Sequence, residues 1–243
     1  MKSRPSKFHA CRPKLALLAL FIFSGCATLK QCAYEGLSRD EWQKPDRVIQ
    51  SLQIRPGNYV ADLGAGGGYF TFRLAAAVGS AGKVYAVDID PDMTQLLERQ
   101  AKQKGAGNVD VILAKPDDPL LPASGVDLIL TVNTYHHISS RVSYFANVRK
   151  YLRPNGRIAV IDFDRRAWIE GLFRHYTPRE FIIREMENAG YSFQREFDFL
   201  DRQSFLIFAP PKVAAGARLP PGALQRREDG SPTRAPHRSY EMS

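Results

Sequence analysis

Two acids on either side of a glycine-rich turn carry the first chemistry in this chain. In Val60-Ala61-Asp62-Leu63-Gly64-Ala65-Gly66-Gly67-Gly68-Tyr69-Phe70, an apolar strand runs into an acid and then into a turn with almost no side-chain bulk. Glycines there let the backbone turn tightly and approach a ligand with no Cβ in between. A helical apolar spacing follows in Phe70, Leu74 and Val78, and the free N–H groups that open such a helix favour negative charge. Twenty residues past Gly68, Val84-Tyr85-Ala86-Val87-Asp88 is a second buried-type strand ending in a carboxylate, placed to accept both hydroxyls of a ribose. Together the two features describe a nucleoside-containing ligand lying across the carboxyl ends of neighbouring parallel strands. A third group, Tyr135-His136-His137, follows the apolar run Val126 to Val132 and offers candidate general bases.

The details select among nucleosides. A dinucleotide site needs G-x-G-x-x-G, and Tyr69 stands where the third glycine belongs. Asp62 would repel a pyrophosphate, whereas it suits a cationic amine. Both points disfavour a nicotinamide oxidoreductase. S-adenosylmethionine combines an amine, a sulfonium and an adenosine. The pattern Asp62-x-Gly64-x-Gly66-x-Gly68 with Asp88 resembles the class I S-adenosylmethionine-dependent methyltransferases. A glycine-rich turn in some other α/β protein is the plain alternative.

The resemblance covers residues 35–209. It implies one α/β, Rossmann-like domain: a mostly parallel seven-stranded sheet with helices on both faces, and S-adenosylmethionine as cofactor. It also implies that Asp117, four residues before Leu121-Pro122, meets the adenine amino group; the plain reading is an Asx-type turn. Asn133 ends the fourth strand at the crevice where open α/β sheets bind ligands, which makes it a further cofactor candidate. Tyr69 lines the methionine end of the ligand or simply starts the helix. Met93 covers the adenine or is an ordinary core residue. Tyr135, His136 and His137 are catalytic candidates, against the reading that the histidines hydrogen-bond a loop. The chain lacks an Asn-Pro-Pro-Tyr or Asp-Pro-Pro-Tyr run, so it does not resemble the amino-methylating enzymes of nucleic acids. The adjacent histidines have no clear carboxylate partner in sequence, and no metal is expected.

The elements that must position these groups follow the same spacing. Strands are expected at Val109–Leu113, 125–132 and Arg157–Phe163, and 125–132 is a near-continuous apolar run typical of a sheet covered on both faces. A helix is expected from Tyr144 to Leu152, stopped by Pro154-Asn155-Gly156. Thr177-Pro178-Arg179-Glu180 reads as a capped helix start, with its end near Gly190. Tyr191–Phe197 and Ser204–Phe208 read as a closing antiparallel pair. Upstream, Ser38-Arg39-Asp40-Glu41 is a capping box before Trp42, and Asp46–Leu52 is a short helix. Alternating strands and helices with right-handed crossovers give the layered sheet.

The ends differ in character. Residues 1–14 hold five Lys or Arg and no acid, Leu15 to Phe23 is unbroken and apolar, and Ser24-Gly25-Cys26 follows. That is a secretory signal pattern over residues 1–25, too short to span a bilayer, which needs about 20 apolar residues. It resembles the bacterial lipoprotein box, which implies lipidation of Cys26, residues 26–34 as a linker, and, with Ala27 next, an outer-membrane destination; an uncleaved leader is the alternative. Once Cys11 is removed with the leader and Cys26 is lipidated, Cys32 alone remains, which excludes an internal disulfide framework and a cysteine metal site. Residues 210–243 are Pro- and Arg-rich with no apolar period, a disordered tail.

The net charge of +9 sits mainly at these ends, since residues between leader and tail hold 23 basic and 22 acidic side chains. A nucleic-acid-binding body would carry a basic face, so nucleic acid is not expected as a partner. The expected partners are a small methyl acceptor and a membrane. The leader and the cofactor conflict, because S-adenosylmethionine is made in the cytosol. A membrane-attached small-molecule methyltransferase is one reading. An exported, non-catalytic lipoprotein that reuses the fold as a binding module is the other. The complete acid and glycine set favours the first.

Overall fold

Alternate residues of each strand turn to opposite sides of one sheet, and both sides are covered. Ala61, Val87, Ile129, Val160 and Phe208 pack on one face with Phe145 and Ile182. Their strand neighbours Val60, Val84, Leu130, Ile161 and Ile207 pack on the other, with Leu52, Leu74 and Val78. This double covering is why the strands read as continuous apolar runs.

The computed structural model describes residues 39–167 and 176–211. The elements in chain order are α1 Arg39–Gln43, α2 Pro45–Ser51, β1 Tyr59–Leu63, α3 Thr71–Val78, β2 Lys83–Asp88, α4 Pro91–Lys104 and β3 Val109–Leu113, then β4 Val126–Val132, α5 Arg141–Val148, β5 Leu152–Phe163, α6 Arg179–Asn188, β6 Ser192–Phe197 and β7 Gln203–Ala209. Single 3-10 turns, Tyr135–His137 and Arg149–Tyr151, flank α5. The sheet has seven strands in the order β3-β2-β1-β4-β5-β7-β6. The first five are parallel, and β7 runs antiparallel to both β5 and β6. The order reverses between β1 and β4, and this is the switch point at which a crevice opens. Among the described residues no helix is long and apolar enough to cross a membrane. The leader, Cys26, the 26–34 linker, Ser38 and the tail beyond residue 211 lie outside the described residues.

Three local expectations are corrected. The expected 144–152 helix begins three residues earlier, at Arg141, and gives way after Val148 to a 3-10 turn. Pro154-Asn155-Gly156 does not stop it. Those residues belong to β5, whose register against β4 jumps from Val126↔Leu152 to Leu128↔Arg157. Pro154 has no N–H for a ladder, and strands tolerate proline at such irregularities. Finally, Thr177 caps nothing: Pro178 occupies the N-cap position with no side-chain cap bond, while the Thr177 N–H donates to the Phe163 carbonyl at 3.2 Å. That bond fixes the start of α6 beside the end of β5.

Candidate active site

The carboxyl ends of β1, β2 and β4 meet at the glycine turn. Asp62, 3 % exposed, accepts the Thr71 hydroxyl at 2.6 Å, so the first turn of α3 orients it. Burial pushes its carboxyl up to about 6, against the Thr71 bond and the Arg39 charge, and nearby Asp88 adds to the rise. Gly64 has φ +77° and sends its N–H to the Val87 carbonyl at 2.8 Å. A Cβ there would lie 2.1 Å from Thr134 Oγ1, so only glycine lets the turn lie against the end of β4. Gly66 donates its N–H to Asp88 Oδ2 at 2.8 Å, and the Asp90 N–H donates to Asp88 Oδ1 at 2.9 Å. The second acid is thereby held against the glycine turn. At Gly66 nothing stands within 4 Å of where a Cβ would be, so the backbone is open at that residue.

A cavity of about 1070 Å³ opens above these groups. Of the residues singled out from sequence, Asp62, Gly64, Gly66, Tyr69, Asp88, Asn133, His136 and His137 line it, as does Met93, which is also a core side chain. Gly68 does not: it faces Phe72 and Leu97 in the packing beneath. Asp117 does not either, being exposed in the β3–β4 connection, while its neighbours Ala114, Lys115 and Pro116 form that wall. Its neighbour Asp118 accepts from the Tyr151 hydroxyl and, at 3.1 Å, from Lys150. Its partial burial works upward, but these bonds and the Leu120 N–H prevail and hold its carboxyl at about 2.

The three candidate bases separate. Tyr135 points away from the cavity into the core: it is fully buried, its ring stacks on Phe145 at 5.3 Å, and its hydroxyl donates to Glu185 at 2.8 Å. Burial and then Glu185 push its hydroxyl far up. Consecutive side chains of a 3-10 turn diverge by about a third of a turn, and the two histidines face the cavity instead. His136 Nδ1 lies 2.7 Å from Asp162 Oδ1, with side chains 8 % and 0 % exposed. Burial raises the Asp162 carboxyl, while the His136 ring and nearby backbone N–H groups work against the rise. Asp162 Oδ2 is buried with no hydrogen-bond partner among the described residues. The His137 ring lies 4.1 Å from that of His136. Both histidines also line a smaller, open cavity of about 470 Å³ with Ser139, Arg141 and Glu185.

Sequence reasoning missed several of these groups. Asp162 had a visible signal, a lone acid near the end of an apolar strand, but its pairing with His136 depends on the β4–β5 register. α1 supplies another wall through Arg39 and Trp42. Trp42 packs on Phe163 at 5.7 Å, and Arg39 and Arg73 lie 3.8 and 4.3 Å from the Tyr69 ring centre, whose hydroxyl donates to Asp40. Side chains join this helix to β7 and the end of β4: Arg39 donates to Gln43, Gln43 to Gln203 at 3.1 Å, and Gln203 to Asn133 at 2.6 Å. Asn133 itself turns the chain at φ +54°, a conformation asparagine tolerates better than most residues. Among the described residues no group of three or more His, Cys, Asp or Glu side chains is placed to hold a metal ion.

Known proteins share this architecture. The chain is 31 % identical over 114 residues to nocamycin O-methyltransferase of Saccharothrix syringae, covering 47 % of this chain and 41 % of that one. It is 28 % identical over 119 residues to the ubiquinone/menaquinone biosynthesis C-methyltransferase of Ectopseudomonas mendocina, covering 49 % and 46 %. It thus spans about half the length of the curated relatives it matches. The crystal structure of a SAM-dependent methyltransferase from Aquifex aeolicus superposes with a TM-score of 0.70 at 24 % identity, over 74 % of this chain and 96 % of that one. Residues 54–177 match the methyltransferase-domain family, and they contain the glycine turn, both acids beside it and the His136–Asp162 pair. The chain belongs to that methyltransferase-domain family.

Proposed function

We propose that the chain is an S-adenosylmethionine-dependent methyltransferase acting on a small molecule, attached to a membrane through Cys26. The observation that carries the donor is the lock between Gly66 and Asp88, which sets a ribose-type acceptor against backbone that is open at Gly66. The residues fit the group. Asp88 would take the ribose hydroxyls, Asp62 the cationic amino end, and the glycine turn leaves room for both. Bound there, S-adenosylmethionine supplies a methyl carbon made electrophilic by its sulfonium. The chain's own part is to hold donor and acceptor in line, which is the larger share of catalysis for a displacement, and to take up a proton at the histidine pair.

The names of the relatives, an O-methyltransferase of nocamycin and a C-methyltransferase of quinone biosynthesis, support a small acceptor. The leader pattern before Cys26 supports the membrane anchor. Calorimetry of the full chain should show S-adenosylmethionine binding more tightly than NAD; tighter NAD would sink the donor assignment. A screen of phenols, quinols and carboxylic acids with labelled donor should find an acceptor, and failure across it with donor binding intact would favour a non-catalytic binding module. In a bacterial host, labelled fatty acid should enter the wild type and not Cys26→Ser. An unlipidated chain beginning at Met1 in the soluble cytosol would reject the anchor.

A further inference from the structure

We propose that the acceptor is a planar acid, a flat ring bearing a carboxylate, held against Trp42 and Phe163 with its charge at Asn133 and Arg202. The proposal rests on the methyl-transfer reading above and names a substrate class for it. Three observations carry it, all from the part of the cavity beyond the donor's acids.

The first is a hydrogen-bond relay with a fixed direction. A guanidinium carries donors and no acceptor, so Gln43 must turn its oxygen toward Arg39 Nε. The Gln43 nitrogen then donates to the Gln203 oxygen, and the Gln203 nitrogen to Asn133 Oδ1. Each amide is oriented by the one before it. What remains at the end is the Asn133 side-chain NH2, a donor, and Asn133 lines the cavity. That NH2 has no partner among the described residues.

The second is charge. Arg202, one residue before β7, also lines the cavity, with its guanidinium 5.7 Å from the Trp42 ring centre. It has no carboxylate partner among the described residues. The nearby acids are engaged elsewhere: Asp162 is 0 % exposed against His136, Asp164 accepts from Arg166, and Asp201 pairs with Lys44. The acids that line the cavity, Asp62, Asp88 and Asp90, lie at or just past the ends of β1 and β2. In sheet order, the lining therefore changes from carboxylates over β2 and β1 to N–H donors over β4 and β7. A carboxylate only accepts, so it matches the second half as a cationic amine matches the first.

The third is shape. Trp42 and Phe163 line the same part, with ring centres 5.7 Å apart and planes 32° apart. An aromatic pair so placed offers a flat ring an offset stack. A guanidinium over an indole keeps its in-plane N–H groups for a carboxylate on that ring. The cavity, about 1070 Å³, is at the top of the roughly 300–1,000 Å³ of single-ligand pockets, which leaves room beside the donor.

The test uses the full chain, with 2-naphthoate as the probe and 2-naphthamide as its neutral counterpart. Calorimetry in excess S-adenosylhomocysteine should show naphthoate binding at least about 10-fold tighter than naphthamide, the scale of charge-assisted hydrogen bonds. Arg202→Gln should remove most of that preference. Asn133→Asp keeps an acceptor for Gln203 but turns the cavity-facing donor into an anion, so it should reverse the preference. Trp42→Leu should weaken both probes alike. Equal binding of the two probes, no binding of naphthoate, a preference unchanged in either polar variant, or full affinity in Trp42→Leu overturns the proposal. If Asn133→Asp does not fold, Arg202→Gln, at an exposed residue, still decides.

The donor's own methionine carboxylate is the competing source of charge. If Arg202→Gln weakens S-adenosylhomocysteine and leaves naphthoate unchanged, the site belongs to the donor and the proposal falls. A naphthoate preference without any binding of S-adenosylhomocysteine sinks the methyl-transfer reading and leaves the anion site standing. Binding of S-adenosylhomocysteine without a naphthoate preference sinks the acceptor class alone.

Discussion

The backbone N–H of Gly66 reaches the carboxylate of Asp88 at 2.8 Å, so two motifs 22 residues apart form a single ligand cradle. The carboxylate is oriented before any ligand arrives, with the Asp90 N–H on its second oxygen. Pre-orientation of this kind lowers the ordering cost of binding.

Asp88→Ala should therefore have two effects. Each charge-assisted bond lost to the ribose removes about 1.5–3 kcal/mol, roughly a 10- to 150-fold fall in S-adenosylmethionine affinity. The Gly66 and Asp90 N–H groups also lose their acceptor, so the melting temperature should fall while the fold persists. Unchanged affinity by calorimetry would remove Asp88 from the ribose.

Asp62 makes both stability and binding depend on pH. Its carboxyl lies at about 6 in the folded protein against an ordinary 3.8, chiefly through burial. A raised value favours the folded state at low pH: that stability is fully present below about 4 and is lost as pH rises to about 6. The loss in the ligand-free protein should be on the order of 2–3 kcal/mol. A cationic donor gains as the same carboxyl ionises, so affinity should rise as pH approaches about 6 and level off above it. Asp62→Asn should flatten both trends, in denaturant titrations and calorimetry respectively. An affinity that does not change with pH in the wild type would place the amino end of the donor elsewhere.

Gly64→Ala combines two penalties. A positive φ costs a residue with a Cβ about 1 kcal/mol, and that Cβ would collide with Thr134. A total loss of about 2–4 kcal/mol is expected. In a Thr134→Gly background the collision disappears and the backbone penalty stays, so the double mutant should show a coupling of about 1–2 kcal/mol. Additive losses in urea melts would mean that the turn and the end of β4 do not touch.

Tyr135→Phe should cost about 1–2 kcal/mol of stability, because the Glu185 carboxylate loses one donor and keeps the Arg141 fork. Turnover per folded molecule should change by less than about threefold. A larger loss of turnover without a loss of stability would return Tyr135 to the chemistry.

The sequence made some of this legible for physical reasons. Double covering of the sheet leaves its mark on each strand, and the Asp62–Gly64–Gly66–Asp88 spacing reflects a turn and a crossover helix of nearly fixed length. Signals from side chains adjacent in sequence were weaker. Tyr135 and His136 look alike as candidates, yet the 3-10 turn sends one into the core and the other to the cavity. The His136–Asp162 pair spans two parallel strands, so it becomes visible only with their register. Pro154-Asn155-Gly156 misled because turn-forming residues look the same whether they end a helix or bulge from a strand. The wall formed by α1 had no local signal, because Gln43 finds its partner 160 residues away.

That last contact sets an order of assembly. Gln203 opens the final strand and holds both Gln43 and Asn133, and β7 is inserted between β5 and β6. During synthesis the glycine turn and both acids leave the ribosome long before Gln203 does. A nascent chain that stops short of β7 lacks the Gln203 link to α1, although Asp40 still has Tyr69 and Arg73 as partners. The last strand to be made thus contributes a contact to a wall of the cavity that the first described helix forms.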